Sequence, residues 1–277
     1  MSTKLITLDD EAPLSVQLQR LHLPFSEYSF ANIFLFRHVH EYTFDTDAIY
    51  GKSYDGQHFA MPLTDLRDSP LLKPLQADFF YPVSEQWLAS FKPGTFQASF
   101  KEEDSDYLYH VDTFKYYPGR HLDGRRNLVH QLESHYEIRS VPIQNVPQSD
   151  LIAILEGWEA QSHQHTGFSD VAVCREAFSL LQRLKLIGVV VYCDNNPAGF
   201  VIGEQSAMKT FIVHFIKANY EYKGIFQYLY QALARSLDPL IEWMNLEQDL
   251  GDEGLRRSKE AYHPDQHLKK MRLVPVK

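Results

Sequence analysis

Hydrophobic residues along this chain recur with two periods, and the switches between them outline alternating helices and strands. Phe30, Ile33, Phe34, Phe36 and Val39 fall mostly three or four apart, which predicts a helix over Phe30 to His40 behind a first helix over Leu14 to Leu23. From Phe44 to Pro62 the period shortens to two. There AIYGKSY and QHFAMPL alternate around Asp55-Gly56, a dipeptide suited to tight hairpin turns because glycine accepts a positive φ. A helix over Ser84 to Phe91, a strand over Phe96 to Phe100, the segment DYLYHVDTF and a helix over Arg125 to Tyr136 complete a first α/β unit.

Ser140 to Gln148, SVPIQNVPQ, carries two prolines and reads as a linker strand, after which Ser149 or Asp150 offers an N-cap to a helix through Gln161. The domain boundary is therefore expected between residues 140 and 141. The second part continues with a helix over Val171 to Leu184 and a strand over Gly188 to Cys193. A turn at Asp194 to Pro197 leads into strands over Ala198 to Glu204 and Thr210 to Lys217. Gly224 opens a helix to about Ser236; a strand over Ile241 to Asn245, the loop QDLGD, a helix over Glu253 to Ala261 and a strand over Leu268 to Val274 finish the chain. That order is the order of an N-acyltransferase domain of the general amine-acetylating (GNAT) type. The expected fold class is α/β (α+β): two tandem GNAT-like halves, residues 1–140 and 141–277, each a mixed central sheet flanked by helices.

Composition narrows the function classes. Across 277 residues, 44% hydrophobic and 13% aromatic side chains supply enough apolar material for two packed cores and exclude a disordered chain. A net charge of −9 repels polyanions at long range, so DNA and anionic membrane surfaces are not expected partners, although a local basic site for tRNA stays open. Two cysteines without ligand spacing suit a reducing cytosol and core packing, and the absence of a long apolar run predicts a cytoplasmic protein without a membrane span.

Three stretches carry a closer likeness: SFANIFLFRHVHEYTF, GRHLDGRRNLVHQLE, and VHFIKANYEYKGIFQ followed by WMNLEQDLGDEGLRRSKEAYHP. At them the chain resembles the phosphatidylglycerol lysyltransferase C-terminal-domain family, including its stand-alone cytoplasmic members. The resemblance covers essentially the whole chain. It implies transfer of an acyl or aminoacyl group to an amine or hydroxyl acceptor, with aminoacyl-tRNA or acyl-CoA as donor substrate and no tightly bound cofactor. The alternative is a catalytically inactive GNAT-like protein that binds a small ligand.

Within that fold, backbone amides at a glycine turn between strand and helix bind pyrophosphate, because free N–H groups and the helix dipole favour anions there. Lys223, Gly224 and Ile225 form the corresponding turn, with Glu221 and Phe226 where the usual pattern has Gln or Arg and a small residue. Arg120, Arg125 and Arg126, gathered around Gly119 and Gly124 beside Tyr116 and Tyr117, suit phosphate or the 3′ end of a tRNA, or else a solvated surface of ion pairs. His214 shares a strand face with Ile216 and is a candidate general base, since imidazole titrates near neutrality; a strand histidine is otherwise structural. The resemblance implies a glutamate where Ile216 stands. Asn245, Glu247 and Asp249 follow a strand end and are candidates for recognising the acceptor, against helix capping as the plainer role. Tyr262 matches the position at which acetyltransferases keep a tyrosine that protonates the leaving group. Carboxylates without a histidine at ligand spacing predict no metal site.

Overall fold

The computed structural model describes residues 3–67, 77–162, 169–206 and 208–276. In chain order the first elements are β1 (Lys4–Leu5), α1 (Glu11–Arg20), α2 (Phe30–Leu35), β2 (Thr43–Phe44), β3 (Ala48–Lys52) and β4 (His58–Pro62). There follow β5 (Phe79–Ser84), α3 (Glu85–Leu88), β6 (Phe96–Phe100), β7 (Asp106–His110), α4 (Val111–Tyr116), α5 (Asp123–His135) and β8 (Ile138–Pro142). Next are α6 (Gln148–Gln161), α7 (Val171–Leu180), β9 (Ile187–Cys193), β10 (Asn196–Gln205), β11 (Thr210–Ala218) and α8 (Ile225–Ser236). The chain closes with β12 (Trp243–Asn245), α9 (Glu253–Glu260), β13 (Gln266–Leu268) and β14 (Lys270–Pro275).

The chain divides into two compact units that do not coincide with the expected halves. One comprises Met1–Tyr107, Glu247–Glu260 and Gln266–Lys277, the other Leu108–Leu246 and Ala261–Asp265. Two pairings explain why a boundary at 140 is not seen. Ser140 to Pro142, the start of the stretch Ser140 to Gln148 read as a linker, belong to the edge strand β8, in antiparallel register with β9. The last strand, β14, returns between β5 and β6. Strand alternation does not say which sheet a strand joins, so neither pairing is visible locally.

In the first unit the sheet runs β1-β2-β3-β4-β5-β14-β6. Its core holds Phe59, Phe79 and Tyr81, with Phe59 edge-on to Tyr81 at 5.4 Å. The second unit has a sheet in the order β7-β12-β11-β10-β9-β8, antiparallel except where β12 lies parallel to β11. The apolar stripe of α8, including Leu229 and Leu233, is buried. Helix α2 stops at Leu35, short of the expected His40. All six of its residues are buried, and Arg37 closes its end by donating from Nη1 to the Phe34 carbonyl at 2.6 Å.

Candidate functional site

The centre of the second unit is a bulged strand beside a short parallel pairing. Between β10 and β11 the register steps from Ile202 opposite Phe215 to Gly203 opposite Val213, so His214 is the extra residue of a β-bulge. A bulge twists a strand locally and re-aims its side chains. Gly203 permits it, since a methyl group there would stand 1.9 Å from the Ile212 carbonyl oxygen. On the other side, β12 pairs with β11 only from Thr210 to Ile212, ending at Asn245, while β11 runs on to Ala218. Beyond Ile212 and Asn245 the pairing ends, because β12 stops there while β11 continues.

His214 lies at this place, but its imidazole is covered. The side chain has no exposed surface, and Nε2 sits 3.0 Å from Oε1 of Glu204, whose own side chain is 15% exposed. A carboxylate only accepts, so Nε2 carries the hydrogen of this bond. Glu204, on β10, was not singled out by the sequence, because the bulge that joins it to His214 leaves no local trace. Asn245 is fully buried at the end of β12.

A second cluster surrounds the first turn of α8. Gly224 has φ of +96°, and a methyl group on it would meet the Leu128 carbonyl oxygen at 2.2 Å. Its glycine identity thus follows from the close approach of α5. Ile225 is buried against the same interior and Lys223 is exposed. Tyr117 Oη donates to the Gln227 carbonyl at 2.7 Å, and Gln227 Nε2 donates to Tyr262 Oη at 3.0 Å. Burial pushes the Tyr262 phenol up to about 12, against the opposing pull of the Arg125 cation and the Gln227 amide. The Arg125 guanidinium lies 5.2 Å from the Tyr262 ring, and Arg126 is tied to the Tyr117 and Gly119 carbonyls and to Asp123. Arg120 and Tyr116 stay exposed. The fold thus gathers Gly224, Ile225, Tyr262, Arg125 and Arg126 around one helical turn, and uses Arg126 to fasten its own loop.

Glu247 and Asp249 belong to the first unit. Asp249 is enclosed: its carboxylate accepts from Tyr107 Oη at 2.6 Å, from Arg256 at 2.8 and 3.0 Å and from the Gly251 amide at 2.8 Å, with no side-chain exposure. Burial opposes its charge, but these donors outweigh burial and hold the carboxyl below its ordinary range. The group fastens the loop to α9 rather than facing a ligand. Glu247 sits at a left-handed φ of 56° and its carboxylate accepts from Asn32 Nδ2 at 3.0 Å. Lys259 Nζ donates to the carbonyls of Glu247 and Gln248 at 3.1 and 2.5 Å, and burial lowers this ammonium to about 8. Lys270 reaches Glu27 at 2.7 Å, Asp106 at 2.5 Å and Gln248 Oε1 at 2.6 Å. Lys259, Lys270, Glu27, Asp106 and Asn32 escaped the sequence reading, because their partners lie far along the chain. Among the described residues no group of three or more His, Cys, Asp or Glu is arranged to hold a metal ion.

Two mixed sheets flanked by helices, one with a bulged strand beside a short parallel pairing, define a tandem GNAT-like acyltransferase fold. The chain belongs to the family of the phosphatidylglycerol lysyltransferase C-terminal domain, whose model matches residues 19–273. Among solved structures, a conserved protein of unknown function from Bacteroides thetaiotaomicron VPI-5482 superposes with a TM-score of 0.85 at 20% identity, covering 99% of both chains. L-PGS from Bacillus licheniformis gives 0.55 at 15% identity, over 84% of this chain and 82% of that one. FemX gives 0.60 at 8% identity, over 100% of this chain and 98% of its own. No curated protein matches the chain. Among the described residues no helix is long and apolar enough to cross a membrane.

Proposed function

We propose that this protein transfers an acyl or aminoacyl group from an aminoacyl-tRNA or acyl-CoA donor to an amine or hydroxyl acceptor. The observation that carries the reading is the end of the β11–β12 pairing at Ile212 and Asn245, next to the bulge at His214. The C-terminal ends of strands are where α/β sheets seat ligands, and an extended acyl arm fits beside a strand that runs on past its neighbour's end. Family membership over residues 19–273 supports the same chemistry.

The start of α8 favours the aminoacyl-tRNA donor. Leu128 is packed against Gly224, and Glu221 adds negative charge beside the turn, so a pyrophosphate is poorly served there. The exposed Arg120 and Tyr116 offer a guanidinium and a ring to an RNA end instead. The test is incubation of the purified protein with labelled aminoacyl-tRNA or acetyl-CoA and a panel of amines, alcohols and phosphatidylglycerol vesicles. Transfer from either donor supports the proposal. Absence of product with every pair, together with ligand-dependent thermal stabilisation, selects the inactive ligand-binding protein.

A further inference from the structure

We propose that Glu204 is the residue that takes the proton from the acceptor, with His214 as the positioning residue behind it. This rests on the transferase reading and adds the group that removes the acceptor's proton.

A base must present an electron pair where the acceptor can reach it. His214 does not, since its side chain is wholly covered and its Nε2 is turned to Glu204 at 3.0 Å. Glu204 has the surface of the pair, at 15% side-chain exposure. The register explains how the two meet. Glu204 stands opposite Ile212, and the bulge at His214 turns that imidazole to Glu204, Nε2 to Oε1 at 3.0 Å. The close approach at Gly203, immediately before Glu204, holds that register. Ile212 is also the last β11 residue paired with β12. The Glu204 backbone is therefore one strand spacing, about 4.8 Å, from the point where the β11–β12 pairing ends. A nucleophile lodged over β11 meets the carboxylate before the imidazole.

The step balances without a further reactant. The acceptor nitrogen or oxygen bonds to the donor's carbonyl carbon, and its N–H or O–H proton passes to a Glu204 carboxylate oxygen. The bond from that carbon to the donor's ester oxygen or thioester sulfur breaks, and the leaving atom takes up a proton, so Glu204 returns to the carboxylate. The Nε2–H of His214 donates to Oε1 throughout and holds the carboxylate in one orientation.

The experiment measures transfer of labelled aminoacyl-tRNA and acetyl-CoA to the amine panel by wild type, Glu204→Gln, Glu204→Asp and His214→Gln. Glu204→Gln keeps the shape of the side chain and its bond to His214 but cannot take a proton. Its kcat is expected to fall about a hundredfold or more, with the donor KM and the thermal midpoint unchanged. Glu204→Asp keeps the charge and withdraws it by one methylene; it is expected to fold and to lose kcat to a smaller extent. It decides the matter if the Gln variant does not fold. His214→Gln, which retains a donor to the carboxylate, is expected to lower kcat less than Glu204→Gln does. Wild-type rates in Glu204→Gln, or losses that track KM and melting alone, overturn the proposal while leaving the transferase reading intact. A wild-type protein that transfers nothing overturns both.

Discussion

The ammonium of Lys270 and the carboxylate of Asp106 meet at 2.5 Å, and neither side chain has any exposed surface. Glu27 joins them at 2.7 Å from the same ammonium, and Asp106 also accepts from the Ser26 amide at 2.8 Å. Lys270 is on β14, Asp106 on β7 and Glu27 in the loop before α2, so one cation ties three distant segments of the first unit. Removing one member of a buried ionic group leaves the others uncompensated, which costs about 3–5 kcal/mol. Lys270→Met is therefore expected to lower the stability of the protein by about that amount in urea unfolding. A change below about 1 kcal/mol would show that the group is dispensable.

Glu27 makes the same cluster sensitive to pH. Burial raises its carboxyl to about 7, Lys270 pulls it down and Asp106 pushes it up. Among the described residues Lys270, Asp106, Tyr28, Tyr42 and Tyr81 are titratable groups that interact with it. Between its ordinary value of 4.5 and about 7 the folded chain holds a proton that the unfolded chain has lost. The stability this group contributes is fully present below 4.5 and is lost as pH rises through about 7. Urea midpoints measured across that window should fall with pH, and the fall should be shallower in Glu27→Gln. Equal slopes in the two proteins would assign the effect to other groups.

The ammonium of Lys259 is held below its ordinary value. Burial lowers its ammonium, and the attraction of Glu247 and Asp106 only partly restores it, leaving a value of about 8 against an ordinary 10.5. The folded chain binds fewer protons than the unfolded one between these limits, so this group's contribution improves as pH rises from about 8 to 10.5. After reductive methylation with labelled formaldehyde, the carbon resonance of dimethylated Lys259, assigned by its loss in Lys259→Arg, should titrate near pH 8. A midpoint at 10.5 would mean that the neighbouring carboxylates fully offset burial.

Gly224 is replaceable by no other residue without movement of α5. Alanine there is strained by the positive φ and would press its methyl group into the Leu128 carbonyl at 2.2 Å. A backbone conformation of this kind costs about 1–3 kcal/mol in a residue with a β-carbon. Gly224→Ala should lose at least that much in chemical denaturation, with α8 still helical by circular dichroism. Wild-type stability would place the origin of this glycine in ligand binding instead of packing.

The helices and the strands of the second unit were largely legible, because their apolar positions keep one period over enough residues. Ile225 to Ser236 and Thr210 to Ala218 lie within about a residue of their expected bounds. Leu268 to Val274, expected as one strand, is interrupted between β13 and β14, and β5 escaped because FFYPVS carries a proline within an apolar run. Gly224, Tyr262, Arg125 and Arg126 were each visible as residue types able to handle phosphate or protons. Their meeting around one turn of α8 was not. Asp249 looked like a free carboxylate in an acidic run, and only the folded chain supplies Tyr107 and Arg256 to enclose it.

By itself the sequence determined the class of fold, the order of elements and the segments in which chemistry is concentrated. Local periodicity and turn residues encode these, and both act over a few neighbouring positions. Only the tertiary structure decided which charges are satisfied and which keep a surface. Glu204 and His214 are ten residues apart in the chain, and Lys270 and Glu27 are 243 apart. A one-residue bulge joins the first pair, and a returning strand joins the second. Contacts of that kind are set by register and burial, and neither property belongs to any residue taken alone.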